Sequence, residues 1–254
     1  MNSPQVSRQR FIEAMRVIIV AGVPAGVVLI GLGSRVAMLV LRLTSPDRVH
    51  GVVSDDGFVI GRVTLAGTYN LLLIGAAAGV IGAFAYRMIA PWLIGPSWFR
   101  RLTTGLASGA VVGSMLVHAG GIDFTLLQPT WLAIGLFIAL PGLFGTLIGP
   151  AVDAVSRPDT WTIGGRRRWL LPLLAVGCFP LSGVFVLAAA ALVATGVLVG
   201  ELDLVRRLRR APFYALAVRS VWLVIAVVGL VALINDTRAI TGAQNGVRQS
   251  SIAA

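Results

Sequence analysis

Residues 17–64 read VIIVAGVPAGVVLIGLGSRVAMLVLRLTSPDRVHGVVSDDGFVIGRVT, and they decide the fold. The first part, about Val17 to Leu43, is an apolar run longer than the roughly 20 residues that span a hydrocarbon core of about 30 Å. A short polar segment follows, and a second apolar run then begins at about Leu65. Two such runs joined by so short a connection predict a polytopic membrane protein. The polar connection contains Val52-Val53-Ser54, Asp55-Asp56-Gly57 and Phe58-Val59-Ile60. An Asp-Gly pair between apolar triplets is the pattern of a short β-hairpin, because Asp-Gly accepts the positive φ angles of a tight turn.

Composition extends the reading to the whole chain. Its 254 residues are 57% hydrophobic and 12% charged, whereas a soluble domain carries about 25% charged residues. Residues 1–240 are expected to form one integral membrane domain with no separate soluble unit, and the polar residues 241–254 an unstructured tail. The lipid bilayer is the first partner expected; a second membrane protein or another copy of the chain is the next. The net charge of +11 would point to nucleic acid in a soluble protein. Here the basic residues flank apolar runs, where they set orientation, so no nucleic-acid partner is expected. All 21 basic residues are arginine.

The basic start, Arg8, Arg10 and Arg16, places the N-terminus in the cytoplasm of a bacterial inner membrane. The apolar run after it is too long for a cleaved signal and has no small-residue cleavage site, so it is expected to stay as an anchor. Further spans read at about Leu65–Trp92, Leu102–Ala119, Trp131–Val152 and Tyr214–Ile234. Small residues recur every four positions at Gly22 and Gly26, at Gly75, Gly79 and Ala83, and at Gly105, Gly109 and Gly113. This is the spacing of faces on which helices approach closely. Pro24 and Pro141-Gly142 are kink candidates, the latter either absorbed by neighbouring helices or acting as a gating hinge. The tetrapeptide Leu-Ile-Gly-Pro occurs at 93–96 and at 147–150, too little to establish a repeat.

The stretch Trp169–Gly200 reads either as one long tilted helix or as two helices turning at Pro180-Leu181-Ser182-Gly183. Charge favours two. Seven spans put 15 arginines inside, 5 outside and Arg35 in the membrane; six put 12 inside and 8 outside. With seven spans, residues 201–211 form an amphipathic segment on the inner surface. The expected fold is therefore an all-α bundle of seven spans, with six as the alternative, and a short outer hairpin.

Arg35 is the one charge clearly inside a span, at a cost of about 2.5–3.5 kcal/mol on the insertion scale. Either the guanidinium snorkels to the outer headgroups or it has an internal partner. In the seven-span arrangement Arg42, the Asp55 and Asp56 turn, Tyr69, Asn70, His118, Asp123 and Asp236 all fall on the same outer side. Together they are the candidate residues of an outward-facing polar vestibule for a ligand or partner, with Arg35 paired to Asp123 or Asp236. The alternative is that these polar residues only mark helix ends.

Catalysis is not expected. Ser108 and His118 stand about 15 Å apart on one helix, too far for a nucleophile and its base. Only two histidines, His50 and His118, and the single Cys178 are present, so neither a metal site nor a disulfide is expected, and no phosphate-binding loop or other cofactor motif is found. A coupled pump would need a mid-membrane carboxylate, and none is seen. The expected function is a non-enzymatic accessory or ligand-binding membrane subunit, with a small uncoupled transporter or channel for an anionic or lipid-like solute as the alternative.

Overall fold

The computed structural model describes residues 4–46, 64–121, 124, 126–157, 172–173, 177–200 and 212–253. They are all-helical, with no strand among them. The proposed hairpin at 52–60 lies outside the described residues.

The chain opens with one long rod: α1 (Pro4–Ala25), a π-helical segment (Gly26–Leu32) and α2 (Gly33–Thr44). Then follow α3 (Leu65–Ile89) with a 3-10 turn at Ala90–Trp92, α4 (Ser97–Leu116), α5 (Thr130–Ser156), α6 (Pro180–Gly200) and α7 (Pro212–Ala253). Four helical stretches are long and apolar enough to cross a membrane: Arg8–Thr44, Leu65–Trp92, Thr130–Ser156 and Phe213–Ala243. A shorter apolar helix occupies Pro180–Gly196. Four such stretches, not seven, are thus present among the described residues.

Local chemistry sets several boundaries. Thr64 caps α3, its hydroxyl accepting from the Gly67 amide at 3.0 Å, which satisfies one of the donors that a helix start leaves free. Between α3 and α4 the chain turns at Gly95, whose φ of 91° suits a residue without Cβ. The two Leu-Ile-Gly-Pro tetrapeptides therefore take different structures, since 93–96 is this turn and 147–150 lies inside α5. The Trp169–Gly200 stretch breaks at Phe179, and α6 runs unbroken through the expected turn at 180–183. Proline is well placed at that start, because a first helical residue needs no intrahelical amide bond. The last helix does not end near Ile234. It continues to Ala253, past residue 241 where the polar tail was expected to begin.

Lipid tails are as apolar as leucine, so helices in a bilayer associate by close packing and not by the hydrophobic effect. The glycine faces provide that packing. A Cβ on Gly22 would lie 2.5 Å from the Gly79 carbonyl oxygen, and one on Gly75 would lie 2.6 Å from the Gly31 nitrogen. The rod and α3 therefore touch backbone to backbone. At about 100° per residue an α-helix would carry Gly31 about 140° round from Gly26. The π segment, with its i→i+5 bonding, brings it back to the α3 side. On the other seam α4 and α5 make the most extensive helix pair, with Gly105 against Thr146 and Gly145 against Ser108. Pro141 is buried in α5 without ending it.

Contacts also fix the direction of each helix. At one end, called here the Arg16 end, Arg16 of the rod bonds Val155 near the end of α5. Tyr86 near the end of α3 shares the core with Met15 and Val152, and Trp92 meets Tyr214 at the start of α7. At the opposite, Arg35 end, Arg35 reaches Thr64 and Ser45 bonds Gln128. There too the Tyr69 hydroxyl donates to the Cys178 carbonyl at 2.9 Å, just before α6. Ala189, further along α6, packs in the core with Met15 and Val17. The chain thus leaves α5 at the Arg16 end and enters α6 at the Arg35 end.

Candidate functional site

The Arg35 end holds most of the residues singled out by sequence. Arg35 is half-buried and donates from Nη2 to the Thr64 carbonyl at 3.3 Å. Its Nε is buried without a hydrogen-bond acceptor among the described residues. Arg42, two turns on, is half-buried as well. Tyr69 and Asn70 are exposed on the first turns of α3, and only Tyr69 makes an interhelical bond, to Cys178. His118 is exposed after α4, its ring edge-on to Phe124 at a centroid distance of 6.3 Å. Asp236 is half-buried on α7 near Leu233 and Ile240, which pack with Leu41, Val117 and Phe124. These residues share one end of the bundle. No ion pair joins Arg35 to Asp236 among the described residues, so that expected pairing is absent; Asp55, Asp56 and Asp123 lie outside them.

The Arg16 end contains two features that the sequence reading did not single out. Arg16 is only 3% exposed. It bonds Glu13 on its own helix, with Nη2 to Oε1 at 2.5 Å and Nε to Oε2 at 3.2 Å, and the Val155 carbonyl at 3.0 Å. An expected flanking charge is thus a buried tie between the rod and α5. The available signal was Glu13 at i−3, a spacing that puts both side chains on one helix face.

The second feature is a cleft between α3, α4 and α5, lined by Tyr86, Ser97, Arg100, Arg101, Thr104 and Asp153 among others. Its enclosed volume is about 10 Å³, room for about one water. Thr104 returns its hydroxyl to the Arg100 carbonyl at 2.6 Å. The Arg100 Nε is buried and lacks an acceptor among the described residues. Tyr86, 8% exposed, packs its ring and hydroxyl against Gly149. The motif signal here was weak because Tyr86, Arg100 and Asp153 lie on three helices.

Neither end gathers three or more metal-ligating side chains among the described residues. Comparison with protein-family models, with curated proteins and with solved structures finds no match.

Proposed function

We propose that the protein is a non-enzymatic, multi-pass subunit of the bacterial inner membrane. In this reading the Arg16 end faces the cytoplasm and the Arg35 end is an outward polar surface that binds a partner membrane protein or an anionic ligand. The observation that carries it is the buried Arg35 Nε without an acceptor among the described residues, on the end where Arg42, Tyr69, His118 and Asp236 also lie. A buried guanidinium donor is costly unless an acceptor is supplied, and a partner's carboxylate supplies one. The reading also takes seven crossings. What supports that count is that α5 finishes by Arg16 while α6 starts by Tyr69, at opposite ends of the bundle. Two tests of topology follow. Cys178, the only cysteine, should react with a membrane-impermeant maleimide from outside the cell, and a C-terminal reporter should lie outside. A cytoplasmic reporter would sink the seven-crossing arrangement.

The binding role is tested by purifying the wild type and Arg35→Gln. Support would be a membrane protein that co-purifies with the wild type and is lost from a folded Arg35→Gln variant. A second reading, an uncoupled anion or lipid-like solute transporter, draws on the π segment Gly26–Leu32 inside the rod, since such segments are frequent at functional sites. Solute flux in proteoliposomes without a co-purifying protein would favour it and overturn the subunit role.

A further inference from the structure

Side chains at the Arg16 end point to a ligand of their own, separate from the outward surface. Tyr86 is more than nine-tenths buried, lines the α3–α4–α5 cleft, and its hydroxyl has no hydrogen bond among the described residues. The Arg100 Nε at the same cleft is buried and has no acceptor among the described residues. A buried donor left in this way is rare unless water, an ion or a ligand completes it. Arg101 and Ser97 add an exposed guanidinium and a hydroxyl at the same cleft. Asp153 brings one carboxylate, so two arginines against one aspartate leave the lining positive.

The depth of the cleft in the bilayer is set by aromatic residues. Trp98 is 63% exposed one turn from Arg101, edge-on to Phe99, and Trp92 packs against Tyr214 at the same end. Tryptophan and tyrosine concentrate at the headgroup level, and basic pockets between helices at that level take anionic headgroups. We propose that this cleft binds the phosphodiester headgroup of an anionic phospholipid such as phosphatidylglycerol. One phosphate oxygen accepts from Arg100 Nε and the Tyr86 hydroxyl, and Arg101 holds the phosphate at the mouth. A volume of about 10 Å³ fits a single oxygen and leaves the rest of the headgroup outside.

The test titrates detergent-solubilised full-length protein with short-chain phosphatidylglycerol, short-chain phosphatidylcholine and inorganic phosphate, by calorimetry. Saturable binding of phosphatidylglycerol alone is expected. Arg100→Gln should weaken it roughly tenfold or more, as loss of a charged hydrogen bond does, and Tyr86→Phe should weaken it several-fold. Arg8→Gln, an exposed charge away from the cleft, should bind as the wild type does. Inorganic phosphate binding as tightly as the lipid would overturn the lipid as the source. Unsaturable binding, or binding indifferent to Arg100→Gln and Tyr86→Phe, would overturn the site. Should those variants not fold, hydrogen exchange on the wild type decides. Phosphatidylglycerol but not phosphatidylcholine should slow exchange in residues 97–101, and equal slowing by both overturns the proposal.

Discussion

Replacing Gly26 by alanine places a methyl group 2.6 Å from Gly79 Cα and 2.7 Å from Gly79 N, with the Gly75 carbonyl oxygen closer still. Ordinary contact begins near 3.4 Å, and every atom in the way is backbone, so no rotamer change relieves the clash. The rod and α3 must separate by about 1 Å, a gap that forfeits a quarter to a half of each dispersion contact along the seam. Overpacking of this kind costs about 1–3 kcal/mol, and rigid backbone on both sides puts Gly26→Ala near the top of that range. Gly135 is the control, since it lies inside α5 and a methyl group there would meet nothing within 4 Å. Gly135→Ala should be neutral, or stabilising by up to about 1 kcal/mol through helix propensity. Both are measured by reversible unfolding in mixed micelles on titration with dodecyl sulfate, followed by circular dichroism. If Gly26→Ala falls within about 0.5 kcal/mol of the wild type, or Gly135→Ala costs as much, close backbone packing is not what holds these helices together.

Three further outcomes are expected. Arg16→Gln should destabilise by about 2 kcal/mol in the same assay, since it loses a charged hydrogen bond to Val155. Glu13→Gln should cost under about 1 kcal/mol, because the Glu13 side chain is 45% exposed. Ser45 both donates to the Gln128 carbonyl at 3.2 Å and accepts from its amide at 3.0 Å, so Ser45→Ala should cost about 1–3 kcal/mol and speed exchange of the Gln128 amide. Thr64→Ala removes the cap of α3 for about 1 kcal/mol. It should leave the Arg35 bond in place, since that bond uses the Thr64 backbone carbonyl.

Much of the packing was legible in the sequence because small-residue spacing is local. Gly22 and Gly26 do meet Gly75, Gly79 and Ala83, and Gly105 and Gly109 do lie against α5. The polar residues of the Arg35 end were legible for the same reason, as helix ends repeat in register with the spans. Pairing was not. Arg35 and Asp236 lie on helices far apart in the chain, and sequence fixes neither their rotation nor their depth. The burial of Arg16 was hidden because the positive-inside rule treats a flanking arginine as solvated, while here Val155, from the end of α5, supplies its acceptor. The extension of α7 to Ala253 ran against its polar composition.

The π segment bears on how this protein tolerates gain or loss of residues. The glycines at 22, 26 and 31 step by four and then by five, and the five-residue step falls where the helix widens, at Gly26–Leu32. One residue in that interval is a surplus that an ordinary helix would lack. Deleting Val28, which is exposed, would leave steps of four throughout and let the interval close as α-helix with all three glycines still toward α3. The same deletion earlier in the rod, at Ile18 in the core, would turn everything before it by about 100° and take Arg16 away from Val155. Of these two places in the rod only this short window can lose a residue without moving Arg35 off its face.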